Sequence, residues 1–306
     1  MTYYVDSENG LDTNNGSTMA LAFETIDKAF DEVAANDTII LQANTTPYPW
    51  TARTSGDAIP DGVTIEGTLI PNTVTGVAAK IDAAGNSRTW RCDGSIYANN
   101  IWFANNLTSG GAAGIELHFS FTGFRNAHFT NCIFNNIRAG WSTGGRGGFI
   151  GKGGNLSNDE AIGQDIKFVG CLIYEAENSG SLGTFVRPSF GGTFLMENCT
   201  YYSGTPSGDA LTAICAGVEQ SSAIFRNMII HNQSGLDLCL HDGSTGTLNA
   251  PNARPATLEG SVYNNLIETN VTINESTEGD PLFLDITTND FRVRQNSPAI
   301  DRGVLI

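Results

Sequence analysis

The stretch AGWSTGGRGGFIGKGG, residues 139–154, brings Trp141, Arg146 and Lys152 close together just after Arg138. A further guanidinium, Arg187, follows in FVRPS. An indole face beside cationic donors can hold a sugar ring by stacking and hydrogen bonds. Trp141, Arg146, Lys152 and Arg187 are therefore the candidate glycan-binding set. The same stretch borders on a phosphate loop and fails the pattern. Lys152 is followed by Gly153 rather than Ser or Thr, and Arg146 stands where the loop's first Gly belongs. Nucleotide binding is excluded on that ground. The bland alternative is a connection in which Gly serves turns and the cations are solvated.

Hydrolysis of a glycosidic bond needs two carboxylates about 5–9 Å apart. Glu175, Glu177, Asp209, Glu219, Asp237 and Asp242 are available, but with 32 acidic residues close pairs arise by chance. No spacing marks one pair out, and His241 beside Asp242 reads as a loop pair. The cysteines, Cys92, Cys132, Cys171, Cys199, Cys215 and Cys239, include no CxxC pair, so metal and redox motifs are absent. No cofactor and no metal are expected. Glycosylation-type triplets, such as those opening at Asn106 and Asn198, follow from Asn-rich turns.

Composition narrows the class. The 306 residues are 40% hydrophobic and only 16% charged, with 35 Gly, which suits a folded, turn-rich β protein. The net charge of −16 disfavours nucleic acid as a partner. It also repels polyanionic glycans unless cations intervene. No apolar run reaches the length of a membrane helix, so membrane insertion is not expected. The opening MTYYVDSENG lacks the basic region and apolar core of a leader. A chain used without secretion, or one whose leader has been replaced by Met, is expected.

What positions the candidate residues is a repeat. FTNCIFNN at 129–136 has looser copies in FVGCLIY at 168–174, MENCTYY at 196–202, FRNMIIH at 225–231 and YNNLI at 263–267. Aligned, Ile65, Phe103, Phe129, Phe168, Met196, Phe225 and Tyr263 share a column. Gly67, Asn105, Asn131, Gly170, Asn198, Asn227 and Asn265 share the column two residues on. Each copy alternates like a short strand. Intervals of roughly 25–40 residues are too long for tight hairpins and suit a coil with loop insertions. The expected fold is an all-β, single-stranded parallel β-helix of roughly seven to nine coils. In it the Asn/Gly column marks a bend, because both types tolerate left-handed backbone angles. Cys132, Cys171 and Cys199 become stacked, inward, unbridged thiols, which fits assembly in a reducing cytosol. Ahead of the coils, Phe23, Ile26, Phe30 and Val33 recur at helical spacing, which predicts a capping α-helix. The resulting layout is one domain over 1–306. It has a cap and first strand at 1–41, coils at 42–278, and a terminal coil and tail at 279–306.

The opening YYVDSENGLDTNNGS…AFETIDKAFDEVAANDTIIL resembles the N-terminal cap of right-handed parallel β-helix proteins. GDPLFLDITTNDFRVRQNSPAIDRG at 279–303 resembles their terminal coil, with coil repeats over 63–267 between. That superfamily, pectate-lyase-like and phage-tailspike-like, includes polysaccharide lyases, glycoside hydrolases, adhesins and virion spikes. The fold alone does not choose among them. One lyase family, resembling chondroitinase B and its alginate-lyase relatives, uses a Lys base and an Arg acid. The resemblance implies Lys152 and Arg187 as catalytic residues if the chain is an enzyme. The match departs from the family at Arg187, which is followed by Pro188-Ser189 rather than His-Gly. The family's acidic cation-binding cluster has no counterpart. The NTD, DD, GHG and RIK signatures of pectate lyases and polygalacturonases are absent.

The expected function is a non-catalytic virion surface protein of a phage, a decoration, spike or fibre subunit that faces glycans. The alternatives are a polysaccharide lyase or tailspike-like glycoside hydrolase, and a bacterial surface adhesin. The expected partners are two further copies in a homotrimer, other virion proteins and cell-surface polysaccharide. A trimer packs three flat β-helix sides around one axis, and after Ile300 little remains to cover the last coil. The expected location is the virion surface after assembly in the host cytoplasm, or alternatively outside the cell.

Overall fold

The computed structural model describes residues 1–54, 56–86, 88–106, 115–118, 125–139, 150–153, 164–174, 177–178, 193–203, 222–232, 256–263 and 271–299. Two long sheets dominate. The first has ten strands: Thr2–Val5, Thr38–Leu41, Val63–Gly67, Ile96–Asn99, Arg125–Thr130, Gln164–Val169, Thr193–Glu197, Ser222–Arg226, Ala256–Glu259 and Val271–Asn274. The second has nine, from Tyr48–Pro49 and Ala79–Asp82 through Ile133–Asn135 to Thr277–Glu278. Stacking order equals chain order in both, and neighbouring strands are parallel. A chain that visits both sheets once per turn and returns one rung further on is a parallel β-helix. Parallel crossovers are right-handed almost without exception. Nine rungs carry a strand in each sheet, at the top of the expected range. A third, three-stranded sheet joins Trp90–Cys92, Ile115–His118 and Ile150–Gly153.

Alternation decides which side is buried. In Val63–Gly67 the residues Val63, Ile65 and Gly67 face inward. Registers place Ile39, Ile65, Ala98, Phe129, Phe168, Met196, Phe225 and Leu258 on one inner column. Phe129 and Phe168 stack with centroids 5.0 Å apart. Two residues of the expected column belong elsewhere. Phe103 pairs with Ile81 and Phe134, and Tyr263 pairs with Ile230, all in the second sheet. The cause is that each coil carries the same short pattern twice. FTNCIFNN holds Phe129-Thr-Asn131 from the first sheet and Phe134-Asn-Asn136 from the second, so a one-column alignment mixes them.

Of the expected bend column, Asn131, Gly170, Asn198 and Asn227 form the bend between the sheets; Gly67 is instead the last residue of a first-sheet strand without positive φ, and Asn265 lies outside the described residues. Asn100, Asn131, Gly170, Asn198, Asn227 and Gly260 all have positive φ. Asn105 belongs to a second corner with Asn136, beyond the second sheet. In three rungs the residue after the first bend turns a thiol or hydroxyl inward, where it accepts a backbone N–H from the preceding rung. Cys171 N donates to Cys199 Sγ at 3.3 Å, Met228 N to Ser261 Oγ at 2.9 Å, and Ser261 N to Ser276 Oγ at 3.1 Å. Cys132, Cys171 and Cys199 are buried and unbridged. Burial pushes the Cys171 and Cys199 thiols well above their ordinary range. Cys215 and Cys239 lie outside the described residues.

The helix is Ile26–Glu32, shorter than its apolar spacing suggested. Thr25 caps it by accepting from Lys28 N at 3.2 Å. Phe23 instead bridges to Val5, and Val33 is the C-cap. Ile26, Ala29 and Phe30 join the core, and buried Arg53 bonds Asp27 and Asp31 on the helix. No helix among the described residues is long and apolar enough to cross a membrane.

The segment expected as a terminal coil contains an antiparallel pair instead. Phe283–Asp285 and Asp290–Val293 turn about Asn289, whose φ is 58°. The pair lies on the outer face of the second sheet, with Phe291 5.0 Å from Tyr174 and 5.3 Å from Tyr202. That face carries Trp102, Ile133, Tyr174 and Tyr202, which are too apolar to be left in water.

Candidate functional site

The outer face of the first sheet carries the densest described group of titratable side chains. Alternation turns them outward, and parallel register brings together residues from successive coils. Asp165 receives Lys167 Nζ at 2.7 Å and a hydrogen bond from Thr193. His128 Nε2 stands 3.4 Å from Asp165 Oδ2 and is buried against it. Tyr97 meets the His128 ring edge-on at 5.3 Å, and its hydroxyl accepts from Asn126 Nδ2 at 3.2 Å. Two rungs on, Arg226 bridges Glu197 and Glu259 at 3.2 and 3.1 Å.

Partial burial pushes the Asp165 carboxyl up, but hydrogen bonds from Lys167 and Thr193 and the nearby charges leave it below its ordinary value. His128 is lowered by burial and by the Lys167 charge, against the pull of Asp165. At neutral pH the group is a neutral imidazole beside a carboxylate–ammonium pair. It can accept a proton, or hydrogen-bond a sugar hydroxyl.

A second feature is a groove of about 390 Å³ beside the bend between the two long sheets. Its floor is Asn131, Gly170 and Asn198; its walls are the segment Ile70–Thr75 and the residues Asp290, Phe291 and Arg292. Thr73 ties the walls together by donating to Asn289 O at 2.6 Å. Among the described residues no group of three His, Cys, Asp or Glu could hold a metal ion.

Trp141, Arg146 and Arg187 lie outside the described residues, as do Glu175, Asp209, Glu219, Asp237, His241 and Asp242. Lys152 is on the third sheet, at the register position of Leu117 and Cys92. Glu177 pairs in register with Arg138. The His128 group and the groove were not among the expected sites. The outward placement of His128, Asp165 and Lys167 follows from alternation in NAHFT and QDIKFV, but their meeting depends on inter-coil register.

No protein-family model matches the sequence, and no curated protein matches it. Among solved structures the chain is similar to a rhamnogalacturonan lyase, at 13% identity and a TM-score of 0.45 over 90% of this chain and 73% of that one. It is also similar to the pectate lyase Pel9A, at 14% identity and a TM-score of 0.42 over 97% of this chain and 90% of that one. A third similar structure is ORF18 of Geobacillus virus E2, at 10% identity and a TM-score of 0.33 over 90% of this chain and 60% of that one. These likenesses concern the path of the chain, and none carries an activity across. That the chain is a parallel β-helix rests on its own two long sheets.

Proposed function

We propose that the chain is a non-catalytic virion surface protein of a phage, a decoration, spike or fibre subunit that faces glycans. One observation bears against a carboxylic general acid, as a glycoside hydrolase needs, among the described residues. Each described Asp or Glu with a displaced pKa is displaced downward: Asp6, Glu8, Asp37, Asp57, Asp82, Asp165, Asp285 and Asp290. A general acid working at neutral pH needs the opposite displacement. The buried, unbridged thiols fit assembly in a host cytoplasm. Capsid or tail genes beside this one would support the virion assignment, and sulfatase or transporter genes would count against it. Incubation with pectate, alginate, chondroitin and host surface polysaccharides is expected to give no new reducing ends and no unsaturated products. Turnover that disappears in Lys152→Ala or Arg187→Ala would overturn the reading.

A carbohydrate-active enzyme is the second reading, favoured by His128. Its imidazole is half-buried, titrates below its ordinary value and has a carboxylate, Asp165, 3.4 Å from Nε2. Turnover lost in His128→Ala would select this reading.

A further inference from the structure

At the bend between the long sheets, an Asn that follows an Asn one rung earlier donates to it through Nδ2, forming an amide ladder, while Asn100, which follows Gly67, donates to the Gly67 carbonyl at 3.4 Å. Asn131 donates to Asn100 Oδ1 at 3.4 Å, and Asn227 to Asn198 Oδ1 at 3.0 Å. The second corner follows the same rule, with Asn136 donating to Asn105 at 2.9 Å. Gly170 interrupts the ladder between Asn131 and Asn198. It supplies neither the donor that Asn131 Oδ1 would receive nor the acceptor that Asn198 Nδ2 would find. Neither atom makes a hydrogen bond among the described residues. Asn131 leans Oδ1 over the glycine, where a Cβ would stand 2.7 Å from it. The interruption opens on the groove.

We infer that this gap binds the acetamido group of a neutral N-acetylated sugar. The inference deepens the glycan-facing reading above and rests on it for the source of the ligand. Asn131 and Asn198 are two rungs apart, about 9.6 Å at the usual strand spacing. A secondary amide has its N–H and C=O pointing in opposite directions. Set in the gap, its N–H donates to Asn131 Oδ1 and its C=O accepts from Asn198 Nδ2. It thus restores the missing rung. Ile70, Val74 and Phe291 offer apolar contact to the sugar ring and methyl group. Arg292 and Asp290, paired at 2.6 Å, offer donors and acceptors to hydroxyls. The groove is of ordinary size for a ligand site, which runs from about 300 to 1,000 Å³. The net charge of −16 favours a neutral sugar over an anionic one.

Two variants separate this from loss of fold. Asn198→Asp removes the Nδ2 donor and keeps the oxygen that Asn227 bonds. Gly170→Asn fills the gap with a ladder amide at a position whose left-handed φ Asn tolerates. Binding of chitotriose is measured by calorimetry against fully deacetylated chitotriose and cellotriose, with circular dichroism as the folding control. The expected result is binding of the acetylated sugar alone, weakened about tenfold or more in both variants while the dichroism is unchanged. Binding of all three sugars alike, or acetylated binding unchanged in both variants, would overturn it. If host polysaccharide binds and chitotriose does not, the inference fails and the glycan-facing reading stands. If no glycan binds, both fail.

Discussion

At His128 burial and the Lys167 charge act in the same direction, and the imidazole titrates below its ordinary 6.5. His231 is lowered by burial as well. The unfolded chain therefore takes up these protons first as the pH falls. Their contribution to stability is full above the ordinary histidine value and is lost between that value and the lower folded one. Asp165, also lowered, loses its contribution only below its ordinary 3.8. The urea midpoint is expected to drop between about pH 7.5 and about pH 5.5, and His128→Gln is expected to narrow the drop. Equal midpoints at both pH values would contradict the placement of both imidazoles. The outward direction of His128 is legible in NAHFT. Its company is not, because Asp165 and Lys167 arrive one coil later through a parallel register that alternation leaves open.

The strands and the Asn/Gly bends were legible because each follows from two or three neighbouring residues. The alignment of one strand to the next was less so. Phe103 and Tyr263 were placed in the wrong sheet because each coil repeats an apolar-x-Asn pattern at both corners. The fold-back of Phe283–Val293 was not legible either. FLDITTNDFRV has the alternation of another rung, and its antiparallel turn depends on the left-handed Asn289. Only the folded molecule shows that the second sheet presents Tyr174 and Tyr202 for Phe291 to cover. Phe291→Ala is expected to cost about 1–2 kcal/mol, the scale of a partly buried aromatic ring, and to raise binding of a hydrophobic dye. A midpoint and dye signal unchanged from the parent protein would show that the hairpin does not protect this face.

At the scale of the molecule, the last described member of the inner column is Ile273, which is 44% exposed although Leu258, one rung earlier, is fully buried. Closed symmetry would let copies of the chain cover one another's exposed strand edges, and a homotrimer is expected. Light scattering at low micromolar concentration is expected to give three times the 32.5 kDa chain mass. A mass of one chain in both low and high salt would reject self-assembly. The charge of −16 makes an apolar or cation-bridged contact necessary, so the assembly is expected to strengthen with salt.

We propose that this β-helix holds a glycan without cutting it. The direct test is size-exclusion chromatography of the chain mixed with host surface polysaccharide, followed overnight. Protein is expected to elute with the polysaccharide, and polysaccharide length to stay unchanged. Shortening of the polysaccharide, or protein that elutes apart from it throughout, would show that the chain does not hold an intact glycan.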